Sequence, residues 1–407
     1  MLVGAGEKEV AVMGTLTSNL HLMMSTFYKP TSTRYRILCE ARAFPSDQVG
    51  TGGIMIQLVV NILTISNLKY AFAAQASLHG HDPKDTVIEL EPRAGEFTLR
   101  EEDILRVIKE DGSAIALVLF GGVQYYTGQC FPMQSITSAA HAEVIPLRSS
   151  PEFSFIVHFS GLYSGMGPCA RSRKRYARPT RMGRGFCSLV LLQVSEFRSR
   201  WHRRFIYPPK VDGKRVTQVS IHRDQRDLVT RIGDRFAGWW GHNESTRFNM
   251  PSVFDPIPGA QGFQQSNPSA LAVSTLLGSL QVFEKAGGMK PIRTKSVAAT
   301  GYLEALLKSS PYYVELSQVA VTSELAFTII TPSEIESRGA QLSLLFLPIG
   351  SKIMPTIFQS MMKRGVIGDE RNPDVIRLAP APLYSSFRDC KLAAEIMNKV
   401  FSELKDQ

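Results

Sequence analysis

The run SAIALVLF at residues 113–120 is apolar at every position after its first. A strand of that make-up has no solvent face. It belongs in a parallel sheet with helices packed above and below it. The stretch before it supplies a helix: Thr98 and Glu101 are spaced as a capping box opening REEDILRVIKED, and Gly112 follows as a stop. One such helix–strand unit excludes an all-β chain and a simple helical bundle.

The rest of the chain repeats the alternation. RYRILCEARAF at 34–44 reads as a strand. PSALAVSTLLGSLQVFEKAGG at 268–288 reads as a helix, with Asn267 as N-cap, Pro268 in the first turn and glycines at its end. SVAATGYLEALLKSS follows as another helix. The strand candidates LAFTIITP at 325–332 and QLSLLFLP at 341–348 alternate with the helical IFQSMMKRG. The pattern implies an α/β fold: a large domain over 1–296 with a mostly parallel sheet, and a smaller C-terminal domain over 297–407. The 407 residues suffice for that pair.

Two segments break the rhythm, 49–69 and 144–235. The first contains GIMIQLVVNILTIS, which is too short to cross a membrane and carries Gln57 and Asn61. A buried strand or helix is expected there instead. The second shows no helical or strand period. No basic-then-apolar leader opens the chain, so no secretory signal is expected. The five cysteines, Cys39, Cys130, Cys169, Cys187 and Cys390, show no metal-ligand spacing. They read as reduced thiols of a cytoplasmic protein without a metal site.

The net charge of +10 would ordinarily suggest an anionic partner. Between Met166 and Arg235, however, 18 Lys and Arg stand against 5 Asp and Glu, a net of +13, which leaves the remainder of the chain at −3. The basic character belongs to one internal segment, and a nucleic-acid partner is not expected for the protein as a whole.

The regular parts resemble kynureninase. The matching runs are GAGEKEVAVMGTLTSNLHLMM (4–24), RYRILCEARAFPSD (34–47), YAFAAQASLHGHDP (70–83), GVQYYTGQ (122–129), FAGWWGHNESTRFNM (236–250), GFQQSNPSA (262–270) and RNPDVIRLAPAPLYSSF (371–387). The resemblance implies a pyridoxal 5'-phosphate (PLP) enzyme of the aspartate-aminotransferase fold, acting as a homodimer on a small-molecule substrate. The reaction implied is hydrolytic Cβ–Cγ cleavage of kynurenine or 3-hydroxykynurenine, giving alanine and an anthranilate in tryptophan catabolism and NAD biosynthesis. PLP serves such chemistry as an electron sink.

The resemblance also implies residue roles. Leu16 and Thr17 would offer helix-start N–H groups to the PLP phosphate. Phe44 would pack on the pyridine ring, with Pro45, Ser46 and Asp47 completing that wall. Trp239 and Asn267 would close the cofactor site, from the partner subunit. Arg377 would clamp the substrate carboxylate with its planar fork, and His242 would meet the substrate's aromatic end. The chain would begin partway into the family's large domain.

One group of motifs departs from the family. An Asp for the pyridine nitrogen, a nearby His, and the Ser-Tyr-Lys-Tyr run whose lysine carries PLP are all missing from 166–235. Shifted by one base, the codons for VLLQVSEFRSRWHRRFIYPP (190–209) can read Cys-Ser-Tyr-Lys-Tyr-Leu-Asn-Ser-Gly-Pro-Gly-Gly. Met166 before Gly167, and Met182 before Gly183, must each yield Trp in that frame. From Met166 onward the shift permits Trp-Asp-Leu-Ala-His, and over Gln193 it permits only Lys or Arg.

The segment therefore reads as the family's DNA in the wrong frame, lost near Gly165 and recovered by Phe236. The interruptions 49–69 and 144–160 both open on Val, whose codon begins GT as a splice donor does, and read as retained introns. The expectation is a kynureninase-type chain with Gln193 in place of the Schiff-base lysine, inactive as written and poorly soluble. One competing reading is a catalytically dead paralogue whose RSRKRYARPTR arm (171–181), with Tyr176 and Trp201 interleaved, binds RNA or DNA. Another PLP lyase or desulfurase of the same fold is a third.

Overall fold

A computed structural model describes residues 8, 10–41, 67–144, 155–159, 192–194 and 236–406. Among these, two sheets organise the chain. The first has the order β2-β1-β3-β4-β5, from β1 (Arg36–Glu40), β2 (Val87–Leu90), β3 (Ile115–Gly121), β4 (Phe155–Phe159) and β5 (Leu192–Val194). β1 is parallel to β2 (Ile37 opposite Val87) and to β3 (Ile37 opposite Leu117), and β4 is parallel to β3. Only β5 runs antiparallel, along the far edge of β4.

β3 is the SAIALVLF run, and residues Ile115 to Phe120 are each at most 3% exposed. Its side chains alternate between two faces with period two. Leu117 and Leu119 join Ile37 and Cys39 under α1 (Leu16–Phe27) and α2 (Asn67–Leu78), which contribute Leu20, Met23, Phe27 and Phe72. Val118 and Phe120 join Leu38 beneath α4 (Glu101–Asp111) and α5 (Met133–Val144). A short α3, Pro83–Thr86, leads into β2 with Asp82 as its N-cap.

The expected capping box before α4 does not form. The helix starts at Glu101 with Arg100 as N-cap, which leaves Thr98 two residues upstream. Glu101, Glu102 and Asp103 fill the first turn and complement the helix dipole. Arg93 ties Glu102 and Asp103 at 2.7 and 2.8 Å. Gly112 is the C-cap, and only glycine fits there because a Cβ would lie 2.5 Å from the Ile108 carbonyl and 2.8 Å from Glu143 of α5.

The second sheet, order β6-β7-β9-β8, is antiparallel throughout: β6 (Ala326–Ile329), β7 (Leu342–Leu347), β8 (Asp369–Arg371) and β9 (Val375–Leu378). Before it come α6 (Ala270–Lys285) and α7 (Met289–Lys308); α8 (Met354–Lys363) and α9 (Phe387–Lys405) complete the unit. Phe327, Phe346 and Phe401 form its aromatic centre, with Leu303 and Leu307 from α7 and Ile357 and Met361 from α8.

Two sequence expectations shift here. The cap of α6 is Ser269, whose hydroxyl accepts from the Ala272 N–H at 3.5 Å, and not Asn267, because the helix starts at Ala270. α7 also runs unbroken through residue 297, the expected domain boundary, and carries Ala299, Leu303 and Leu307 into the second core.

The loop after β3 joins the two units. Thr331 Oγ1 donates to the Thr127 carbonyl at 2.6 Å, Gln341 Nε2 to the Tyr125 carbonyl at 3.1 Å, and the Cys130 N–H to Ser337 at 2.8 Å. Arg338, 5% exposed, pairs with Glu304 of α7 at 2.6 Å.

The stretch 144–235, which shows no helical or strand period in sequence, contributes β4 and β5 among its described residues. The GIMIQLVVNILTIS run lies outside the described residues. No helix among the described residues is long and apolar enough to cross a membrane.

Candidate active site

α1 begins at the surface. Gly14, Thr15 and Ser18 are exposed, while Leu16 and Thr17 are half-buried. Thr15 is the N-cap, but its side chain makes no cap hydrogen bond, and no acidic residue stands in the first turn. The first backbone bond of the helix is Asn19 N–H to the Thr15 carbonyl at 2.9 Å. The N–H groups of Leu16, Thr17 and Ser18 thus point out of the helix start with the positive end of its dipole behind them, an arrangement suited to a phosphate.

This helix start is tied to residues 236–267. Gln264 Nε2 donates to the Val12 carbonyl at 3.0 Å, and Phe263 packs on Phe27 with ring centroids 5.4 Å apart. Trp239 and Asn267 belong to that segment. Trp239 sits in a 3-10 turn, 46% exposed, edge-on to Trp240 at 5.0 Å and to Phe248 at 5.9 Å. Asn267 is exposed and accepts from the Ser266 hydroxyl.

His242 is buried, with both ring nitrogens in use. The Asp255 N–H donates to Nδ1 at 3.0 Å, so Nε2 carries the proton and donates to Thr246 Oγ1 at 3.0 Å. Within this subunit, any substrate contact of His242 falls to its ring and not to a free nitrogen. Arg247 lies over the Trp240 ring at 4.5 Å and braces the same turn.

Arg377, on β9, forms a second cluster. The residue is 8% exposed, and its guanidinium donates to the Tyr125 carbonyl at 2.6 Å and pairs with Asp369. Arg371 shares that carboxylate at 2.8 Å and lies 5.7 Å from the Tyr125 ring. Burial pulls the Arg377 pKa down to about 10, which still leaves it charged at neutral pH. A planar fork held in this way is prepared to meet a carboxylate.

Phe44, Pro45, Ser46 and Asp47 lie outside the described residues. Gln193 is the middle residue of β5, opposite His158 of β4. The contacts therefore gather Leu16 and Thr17 with the segment of Trp239, and Arg377 with Tyr125.

Sequence reasoning missed Tyr125, Asp369 and Glu40. A hairpin reading of DERNPDVIRL, with the turn at Asn372-Pro373, places Asp369 directly opposite Arg377, as the register shows. Glu40 ends an apolar strand and shares a face with Leu38 by simple alternation. It is 4% exposed, its Oε2 has no hydrogen-bond partner among the described residues, and burial pushes its carboxyl up to about 8.

Residues 292–397 match the family model described as the kynureninase C-terminal domain. The chain is 39% identical to the kynureninase of Yarrowia lipolytica, over 98% of this chain and 78% of that one. It is 37% identical to the kynureninase of Saccharomyces cerevisiae, over 99% and 79%, and 38% identical to that of Homo sapiens, over 95% and 70%. Among solved structures, the cysteine desulfurase CsdA from Escherichia coli shares the fold with a TM-score of 0.56 at 12% identity, covering 99% of this chain and 81% of that one. The cystine C-S lyase C-DES does so with a TM-score of 0.54 at 14% identity, covering 97% and 82%.

Proposed function

The chain belongs to the kynureninase family of PLP-dependent enzymes, and from that premise we propose that it keeps the family's phosphate and carboxylate anchors but not its covalent anchor. The family's reaction is hydrolytic Cβ–Cγ cleavage of kynurenine or its 3-hydroxy form, and bound PLP supplies the electron sink for it. The residues present fit the phosphate end of the cofactor: α1 offers open N–H groups and no competing carboxylate. They do not fit its aldehyde end, because Gln193 occupies the lysine's place and a carboxamide nitrogen is not a nucleophile.

Each remaining residue has a role that follows from its setting. Arg377, held by Tyr125 and Asp369, would receive the substrate carboxylate. Phe44, Pro45, Ser46 and Asp47 would form the ring wall. Trp239 and Asn267, exposed in one subunit, would complete the site of a second copy. The exposure of Leu271 (83%), Leu277 (55%) and Val282 (50%) on α6 supports a homodimer in which that helix is covered. A cytoplasmic location and a division into large and small domains near residue 297 belong to the same reading.

The observation that carries the proposal is Gln193 on β5, within a segment whose codons can read as the lysine motif one base away. The full chain would be incubated with PLP, reduced with borohydride and digested for mass spectrometry, alongside an assay for anthranilate release. The expected outcome is no lysine adduct within 166–235 and no turnover. A lysine-linked cofactor there, or measurable anthranilate, would contradict it.

A further inference from the structure

A cavity of about 220 Å3 opens at the C-terminal edge of the first sheet, where β1, β2 and β3 end. Glu40 lines it from β1, Glu91, Glu96 and Phe97 from the segment after β2, and Tyr126 and Phe131 from the loop after β3. No lysine or arginine lines it among the described residues. Glu96 is neutralised from outside by Arg100, whose Nε donates to it at 3.0 Å. The buried end of the cavity is therefore left to Glu40, whose Oε2 is without a partner among the described residues.

The cavity is distinct from the phosphate cradle. Glu40 alternates with Cys39 along β1, so it shares the face of Leu38, beneath α4 and α5, whereas α1 covers the face of Ile37 and Cys39. Leu99 and Phe131, which belong to the α4–α5 core, also line the cavity. A buried carboxyl with an oxygen unpartnered among the described residues, beside three aromatic side chains and, among those residues, no basic group, is the chemistry that recognises an ammonium ion. The carboxylate supplies the counter-charge and the ring faces supply cation–π attraction.

We infer that this cavity binds a small organic ammonium cation, with Glu40 as its buried counter-charge and Phe97, Tyr126 and Phe131 as its aromatic wall. The inference does not rest on the kynureninase reading and survives its failure. Among the described residues, the ionisable groups lining the cavity with Glu40 are Glu91, the Arg100-bound Glu96 and the Tyr126 phenol, and Gln124, Thr127 and Gln129 add polar groups without charge. A bound cation stabilises the ionised carboxylate and displaces its proton. Affinity therefore rises as pH rises toward about 8 and levels off above it.

The test uses the full chain titrated with tetramethylammonium chloride, followed by broadening of the methyl NMR signal, with NaCl holding ionic strength constant. Saturable binding is expected, stronger at pH 8.5 than at pH 6. It should weaken roughly tenfold or more in Glu40→Gln and by less than about threefold in Glu91→Gln, whose carboxylate is exposed. Unchanged affinity in a folded Glu40→Gln protein, failure to saturate, or equal competition by KCl would overturn the inference. If Glu40→Gln does not fold, Phe97→Leu keeps the carboxyl and removes one ring. A few-fold loss is then expected, and undiminished affinity would count against the aromatic wall.

Discussion

The two sheets of this chain stand in contrast. The antiparallel sheet β6–β9 draws all its strands from residues 326–378, and every neighbour in it pairs along three or more residues. The parallel sheet collects strands from residues 36 to 194, and helices lie between β1 and β2, β2 and β3, and β3 and β4. Among the described residues its last strand is β5, three residues long and reversed in direction. A sheet built from consecutive hairpins and short crossovers is encoded locally, so damage elsewhere in the chain leaves it whole. A parallel sheet depends on every distant segment being correct. In this chain the segment proposed above to depart from the family contains β5, the last described strand of that sheet.

The contrast has a direct energetic test. Phe346→Ala, in the aromatic centre with Phe327 and Phe401, should cost about 3–5 kcal/mol by urea unfolding of the C-terminal unit. Leu117→Ala, equally buried in β3, carries a cost of about 2–5 kcal/mol in an intact core. Here it should register as a smaller loss and a broader transition, because the sheet ends on a short reversed strand. Equal, sharp losses in both units would break the comparison.

The remaining predictions sharpen it. Asp369→Asn removes the charge shared by Arg371 and the buried Arg377 and should cost on the order of 1–3 kcal/mol, read as a lowered unfolding midpoint. Glu40 should give the parallel unit a stability that falls as pH rises, opposite in sign to the dependence that Glu304, held low against its burial by Arg338 and Lys308, gives the C-terminal unit. The Glu40 carboxyl is raised from 4.5 to about 8 on folding, so the unfolded chain ionises first. Stability should therefore fall as pH rises from about 4.5 to about 8, and then level off. Glu40→Gln should flatten that slope and gain on the order of 1–2 kcal/mol at pH 8; a slope that persists in the variant would assign it to another group. Ser386→Ala breaks the capping box with Asp389 at the start of α9 and should cost about 1 kcal/mol in the C-terminal unit alone.

What was legible in the sequence follows the same division. SAIALVLF announced a strand buried on both faces because its composition leaves no other site for it, and β3 is that strand. QLSLLFLP and LAFTIITP likewise became β7 and β6. Helix starts were read less well: Thr98 and Asn267 have the side chains of N-caps, but the helices begin two residues later than those side chains imply, with Arg100 and Ser269 as caps. The strands β4 and β5 were not foreseen, since five and three residues carry too little periodicity to read. The site was legible only through resemblance. No spacing ties Arg377 to Tyr125, 252 residues away; the fold alone joins them. Glu40 went unnoticed because an acid closing an apolar strand looks like a solvated end until the loops after β2 and β3 enclose it.

The most direct measurement is the sequence of the cDNA across codons 45–240 in the source cells. The expected transcript lacks the codons for 49–69 and 144–160 and carries, in the shifted frame, a lysine codon over Gln193. A transcript that encodes the chain as written would contradict the frame account and leave a kynureninase-family polypeptide with no lysine to hold its cofactor.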